Sequence, residues 1–163
     1  MKGSMVRGRG LGLVLGALLV VASAGHANAQ SIFDTLAGTW SGAGQMRLDN
    51  GKSEALKCRA FYTQKDAGGL GLAIRCASAS NKIELRASLS QDRGHVDGSW
   101  EERTFNAAGT VKGRASAGRI NLSITGGTFS GSMNVSITGA RQSVLIETDG
   151  IGLRAVNINL SRG

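Results

Sequence analysis

The side chains best suited to chemistry in this sequence are few, and the two cysteines come first. Cys58 and Cys76 lie on either side of residues 65–69, where Asp and Gly favour a tight turn. A chain reversal centred on Ala67 would place Cys58 opposite Cys76. Since side chains alternate along a strand, the same face would carry two apolar pairs, Ala60–Ile74 and Tyr62–Leu72. The spacing therefore predicts a cross-strand disulfide in a half-buried hairpin, with neither sulfur free for catalysis or metal binding.

His95 is the one histidine that follows residue 29, so imidazole chemistry in the folded domain would depend on it. In a strand it would share a face with Asp97 and Glu101, because residues two apart point the same way. Such a row could serve a hydrolase or hold a metal. A Ser-His-Asp site, however, needs a base with an orienting partner, and zinc usually takes more histidine or thiolate ligands. Val96 and Trp100 occupy the opposite face, so we predict a solvated row, no catalytic residue, no metal and no enzyme activity.

Glu101 and Glu102 form a second acidic candidate, since paired carboxylates can do acid–base work in glycosidases. Adjacent residues on a strand point to opposite faces, so these two side chains would not converge. Glu102 would continue the inward row that contains Trp100, where it could meet an arginine or a polar ligand. The favoured alternative is that the strand has ended before Glu102.

Basic residues on predicted outward faces are the largest polar feature. After residue 29 the chain has sixteen basic and eleven acidic residues, a net charge of +5. A modest positive charge could favour an anionic surface such as lipopolysaccharide or acidic lipid headgroups; the alternative is ordinary solubility. The predicted anionic-surface patch comprises Lys57, Arg59, Arg75, Lys82 and Arg86.

The N-terminus predicts export. Lys2, Arg7 and Arg9 precede an apolar run over residues 11–24, and Ala27-Asn28-Ala29 is an A-x-A cleavage site, the pattern of a secretory signal peptide. We expect residues 1–29 to be cleaved, leaving residues 30–163 as a single periplasmic or secreted domain without a transmembrane span; the alternative is an uncleaved anchor. Export would permit the disulfide and argues against a nucleic-acid partner.

The rest of the chain predicts strands. Apolar and polar residues alternate at period two in segment after segment, with Gly, Asn and Asp turn signals about every eight to twelve residues. We predict an all-β fold, a single antiparallel up-and-down barrel of about 8–10 short strands, preceded by a short helical turn at residues 31–37. Glycines on the inward faces would allow the strands to coil tightly: Gly42, Gly44, Gly98, Gly113 and Gly131.

Gly38-Thr39-Trp40, which follows the helical turn and opens the first strand, resembles the G-x-W motif of lipocalin and calycin barrels. The resemblance implies that Trp40 packs across the barrel floor under an arginine from the last strands, either Arg154 or Arg162. The chain is also weakly similar to exported bacterial barrels of the metalloprotease-inhibitor and Omp19 group, and in general style to small exported proteins of alphaproteobacteria. It departs from the inhibitor group in carrying both cysteines on one hairpin and in having more strands.

These patterns favour a non-enzymatic periplasmic or envelope-associated barrel without a cofactor. It would hold a lipid or small apolar ligand, or dock on an envelope protein. An interaction protein of the protease-inhibitor kind, which inserts residues 30–36 into its target, is the alternative, and a hydrolase using His95 is the least favoured. Whether the interior is hollow or filled, and the oligomeric state, stay open. Candidates for the floor or for ligand contact are Trp40, Tyr62, Trp100 and Arg154.

Overall fold

The structure, a computed structural model, describes residues 31–66 and 68–163, and these residues form ten antiparallel strands closed into one barrel. Each strand pairs with the next along the chain, and the last pairs with the first. The elements are α1 (Ile32–Leu36), β1 (Gly38–Leu48), β2 (Ser53–Lys65), β3 (Gly69–Ala77), β4 (Lys82–Asp92), β5 (His95–Glu102), β6 (Ala107–Ser116), β7 (Arg119–Gly126), β8 (Phe129–Thr138), β9 (Arg141–Asp149) and β10 (Leu153–Arg162).

This architecture confirms the predicted up-and-down barrel with a short N-terminal helical turn. The predicted signal peptide, residues 1–29, and Gln30 lie outside the described residues. Among the described residues, no helix is long and apolar enough to cross a membrane.

Alternating burial along each strand builds one core inside the barrel. In β2 every second residue is buried from Leu56 to Tyr62, and the residues between them are exposed. The same period appears in β7, where Ile120, Leu122 and Ile124 are buried. Because a strand presents alternate side chains to its two faces, the predicted apolar rows point inward and the polar rows point outward.

Two inward glycines allow the barrel to close between β1 and β10. A Cβ atom at Gly42 would overlap the carbonyl oxygen of Asn159, and one at Gly44 would overlap that of Asn157. Only glycine permits the two backbones to approach so closely. The expectation that inward glycines shape a tightly coiled barrel is confirmed at this seam.

The hairpin of β2 and β3 has the predicted register. Cys58 is paired with Cys76, Ala60 with Ile74, and Tyr62 with Leu72. The two cysteines form a disulfide across a sequence separation of 18 residues. Closing a loop of this length stabilises the folded state by about 3 kcal/mol in the chain-entropy description. The bond thus secures two neighbouring strands of the barrel wall.

Helix α1 closes one end of the barrel. Ile32, Phe33 and Leu36 are buried in the core. Ser31 and Asp34 form a capping box. The Ser31 hydroxyl accepts a hydrogen bond from the backbone nitrogen of Phe33, and the Asp34 carboxylate accepts one from the backbone nitrogen of Ser31. These bonds satisfy backbone donors that a helix start would otherwise leave free. Residues 31–36 are therefore part of the barrel floor and are not a free arm of the kind that an inserting protease inhibitor needs.

Candidate functional site

Trp40 forms the centre of the floor. Its side chain is fully buried, and its Nε1 donates a hydrogen bond of 2.7 Å to the carbonyl oxygen of Leu36 in α1. The guanidinium of Arg162, at the end of β10, lies 4.5 Å from the centre of the indole ring. Arg162 also donates hydrogen bonds to the carbonyl oxygens of Ala37 and Thr35. Helix α1, Trp40 and the end of β10 thus form one connected floor that closes this end of the barrel.

The arginine over Trp40 is therefore Arg162, one of the two that the motif implied. Arg154, the other one, lies near the start of β10 at the opposite end of the barrel. Its Nη1 atom is 3.0 Å from Oδ1 of Asp149, and both side chains are exposed. Arg154 therefore does not contribute to the floor, because it lies eight residues before Arg162 along β10. Its role in contacting a ligand stays a prediction.

Tyr62 lies low in the barrel and bonds across it. The Gln142 amide nitrogen donates a hydrogen bond of 2.5 Å to the Tyr62 hydroxyl, and both residues are buried. Gln142 Oε1 has no hydrogen-bond partner among the described residues. Burial raises the pKa of Tyr62 to about 12, and the hydrogen bond from Gln142 lowers it in part. Tyr62 is therefore a neutral structural group of the lower core.

This pKa leads to a testable pH dependence. The unfolded chain ionises its tyrosine near about pH 10, whereas the folded chain keeps the proton until about pH 12. Stability is fully present below the unfolded pKa and falls as the pH rises through this window. We expect a loss of about 2–3 kcal/mol in the free energy of unfolding. Tyr62 is the only tyrosine in the chain, so its near-ultraviolet absorbance reports the titration directly.

The control for this titration is Tyr62→Phe, which should lack both the absorbance change and this component of the pH dependence. Comparing the two proteins subtracts the titration of lysines and arginines at high pH. An ordinary tyrosine pKa of about 10 in the folded wild type would contradict the buried environment.

Above the floor the barrel is hollow. A cavity of about 360 Å³ lies between the strands, within the range of roughly 300–1,000 Å³ typical of small-molecule sites. Its deeper wall is aliphatic, including Leu72, Ile74, Leu89, Val111, Leu122 and Ile124. The question that the sequence left open is thereby answered, because the inward side chains do not fill the interior.

Trp100 forms part of the cavity wall. Its Nε1 donates a hydrogen bond of 3.3 Å to the carbonyl oxygen of Thr125. Its ring meets that of Phe129 edge to face, with 5.1 Å between the ring centres, a favourable aromatic geometry. Trp100 is thus held in a fixed orientation beside the empty space. The two tryptophans of the chain have separate places, one in the floor and one at the cavity.

The cavity opens at the end opposite α1. This end carries the turns at residues 49–52, 78–81, 103–106, 127–128 and 150–152. Phe105 and Ile151 line the cavity and are 59% and 36% exposed. Large exposed apolar side chains beside an apolar opening are typical of a binding site. The entrance therefore carries exposed apolar side chains in front of the aliphatic wall.

Glu102 is the charged group of the wall. It is only 8% exposed, and it lines the cavity. The favoured expectation that the strand ends before Glu102 is wrong, because Glu102 is paired with Leu85 on one side and with Ala107 on the other. Its Oε1 accepts a hydrogen bond of 2.7 Å from the Glu84 backbone nitrogen, and its Oε2 accepts one of 2.6 Å from the Phe105 nitrogen. Glu102 thereby fastens the turn that carries Phe105.

A second carboxylate holds another turn of the entrance. Glu54, near the start of β2, accepts hydrogen bonds from the hydroxyls of Ser78 and Ser80 and from the side-chain amide of Asn81. The Ser78 hydroxyl, followed by that of Ser80, holds the pKa of Glu54 below its usual value. Asn81 lines the cavity, so these bonds help to fix the position of a polar group at its edge.

The acidic row beside His95 faces outward, as predicted. His95 is exposed and is paired with Asp92 and Arg114. Asp97 accepts a hydrogen bond of 3.4 Å from the Ser90 hydroxyl, and Glu101 lies 3.7 Å from Arg103. In the part of the chain that the structure describes, no three His, Cys, Asp or Glu side chains are placed to hold a metal ion.

The predicted basic patch forms one outward surface of β2, β3 and β4. Arg59 is directly opposite Arg75, and Arg75 is in turn opposite Glu84. Arg86 is opposite Glu101. All five basic side chains are exposed. Glu84 lies among them, and Glu101 borders them on β5. Its role with anionic surfaces stays a prediction.

Solved structures of other proteins are similar in fold to this chain, whereas sequence comparisons find no match. No family profile matches this chain, and no curated protein matches its sequence. Rv2717c from Mycobacterium tuberculosis is similar in structure, with 12% identity and a TM-score of 0.66 over 81% of this chain and 95% of that one. The S-type phycobiliprotein lyase CPES from Guillardia theta has 14% identity and a TM-score of 0.56 over 83% and 94%. A redesigned β-barrel, mFAP1, solved bound to DFHBI, has 9% identity and a TM-score of 0.50 over 82% and 100%.

At these identities the likeness shows the fold, a closed antiparallel barrel, and not an activity. The resemblance drawn from the G-x-W motif is therefore confirmed for the architecture. The structural neighbours named above do not include the metalloprotease-inhibitor and Omp19 group, so that narrower similarity stays a prediction.

Sequence reasoning missed several groups that shape the site. Gln142 continues the inward alternation of Val144 and Ile146, so the period of two could have predicted that its side chain points into the barrel. Phe105 and Ile151 lie in turns, where no periodicity indicates a direction. Their places follow only from the way in which the turns gather at one end of the barrel.

Proposed function

We propose that this protein is a non-enzymatic binding barrel that takes one small, largely apolar molecule into its interior. The observation that carries the proposal is the cavity of about 360 Å³, with an aliphatic wall and an entrance at Phe105 and Ile151. Burying apolar surface releases about 25 cal/mol per Å², so an enclosed apolar site favours a ligand of matching character. A closed floor at Trp40 gives the ligand one way in and out.

The predicted export of this chain supports a periplasmic or extracellular location for the proposed function. The disulfide between Cys58 and Cys76 persists in oxidising compartments such as the periplasm or the cell exterior. The predicted signal peptide at residues 1–29 points to the same location. In this setting the ligand would be a lipid or another small apolar molecule of the cell envelope, and the protein would carry or sequester it.

The alternatives have less support. A protease-inhibitor role with an inserting N-terminal segment conflicts with the burial of Phe33 and Leu36 in the floor. A hydrolase would need its base beside a substrate site, but His95 is on the outer surface. For docking on an envelope protein, the described residues offer single exposed apolar side chains, Phe61 on the wall and Phe105 and Ile151 at the entrance.

The test is direct binding of a neutral apolar probe. The purified protein is titrated with n-decanol by calorimetry at several temperatures, and complexes are counted by native mass spectrometry. We expect saturable binding of one molecule per chain, with the negative heat-capacity change that accompanies apolar burial. Signals that do not saturate, together with a bare protein mass under gentle conditions, would overturn the proposal.

A further inference from the structure

The cavity wall contains one buried negative charge. Glu102 lines the cavity, and its partners in neighbouring strands are the apolar residues Leu85 and Ala107. In the described chain, no Lys or Arg side chain lies within ion-pair distance of its carboxylate. The adjacent Arg103 turns instead to Glu101 on the outer face. The carboxylate therefore faces an apolar space without a counter-charge from the described residues.

Its hydrogen bonds leave acceptor capacity unused. Each oxygen accepts one backbone N–H, from Glu84 and from Phe105. An ionised carboxylate offers about four acceptor positions, so about two are left. A buried charge is costly unless it is paired and hydrogen-bonded. A ligand that brought a donor or a positive charge to this position would supply what the protein lacks.

We propose that the ligand of this barrel is a cationic amphiphile, whose protonated amine pairs with Glu102 while its apolar body occupies the deeper cavity. This inference rests on the proposed binding function and narrows it to a chemical class. A charged donor to a carboxylate makes a stronger hydrogen bond than a neutral one, and an anionic head group would meet repulsion instead. The position of Glu102 near the entrance, next to the turn of Phe105, places the amine at the mouth and the chain inside.

A purely structural role for Glu102 makes a different prediction. The carboxylate fastens the turn of residues 103–106 through Phe105, and that contact needs no ligand. If this were its whole role, the charge of a ligand's head group would not affect affinity. Head-group preference therefore separates the two interpretations.

The test compares three ligands with one chain length: n-decylamine, n-decanol and n-decanoate. Affinities are measured by calorimetry at neutral pH with the wild-type protein. We expect the amine to bind at least about tenfold more tightly than the alcohol, and the carboxylate to bind more weakly than the alcohol. Glu102→Gln should abolish the preference for the amine, so that in this variant the affinities for the amine and the alcohol differ by less than about threefold.

Glu101→Gln is the matched control, because it removes the same charge from the adjacent residue on the outer face. It should leave the ranking of the three ligands unchanged. Equal affinities, or tighter binding of the carboxylate, in the wild-type protein would overturn the inference and leave the binding function intact. Failure of all three ligands to bind would overturn both. Because the wild-type ranking decides the matter by itself, the test holds even if Glu102→Gln fails to fold.

Discussion

Replacing Trp40 with alanine is expected to lower the free energy of unfolding by about 4 kcal/mol, within the range for removal of a buried tryptophan. The substitution removes a side chain that is fully buried. It also removes the hydrogen bond to Leu36 and the stacking partner of Arg162. Since small domains are stable by only about 5–15 kcal/mol, we expect a protein that is close to unfolding at moderate temperature. Urea titration followed by far-ultraviolet circular dichroism measures the change.

Trp100→Ala is the control for this prediction. Trp100 is also largely buried, but it borders a cavity that is already present. Its removal widens a space that is already open at the mouth of the barrel, so we expect a smaller loss, about 3 kcal/mol, at the lower end of the range for this substitution. A Trp40→Ala protein that is no less stable than Trp100→Ala would show that the floor does not hold the barrel together.

Filling the cavity is expected to weaken the binding of n-decanol strongly. Ala107 lines the cavity near its mouth, and Ala107→Trp places an indole ring in the space that the ligand would use. We expect the affinity for n-decanol to fall at least about tenfold. Because the ring enters existing space, the cost of overpacking should stay below about 1–3 kcal/mol. Calorimetric titration and thermal unfolding give the two quantities separately.

Ala108→Trp is the matched control for cavity filling. Ala108 is the next residue of β6, and it is exposed on the outer face. This variant introduces the same side chain without entering the barrel, so it should bind n-decanol like the wild-type protein. If Ala107→Trp bound the probe as tightly as Ala108→Trp does, the binding site would have to lie outside the cavity.

The two ends of the barrel differ in structure: one end is closed by the floor, and the other end opens into the cavity. Trp40, Arg162 and the helix at residues 32–36 make the stable end. At the open end, Glu54 fixes the turn of residues 78–81 and Glu102 fixes the turn of residues 103–106, because each carboxylate accepts hydrogen bonds from its turn. Because Glu102 fixes the turn that carries Phe105, the proposed ligand would meet this side chain at a low cost in ordering it.

The strands and the hairpin of Cys58 and Cys76 could be predicted from the order of residues alone. Side chains alternate with period two in every strand, so a buried face leaves a direct mark in the order of residues. The turn at residues 65–69 fixed the register of the hairpin, and the register placed the cysteines opposite each other. These are local relations, and they could be predicted without knowledge of the rest of the fold.

The contents of the barrel could not be predicted from local patterns and follow from the closed fold. Whether inward side chains fill the space depends on the number of strands and on their tilt, which local patterns do not specify. The choice of Arg162 over Arg154 depends on which end of β10 meets the floor. The burial of Glu102 depends on pairing with strands on both sides. Each of these outcomes arises where distant segments meet, because contact between them is set by closure of the barrel and not by neighbours in the chain.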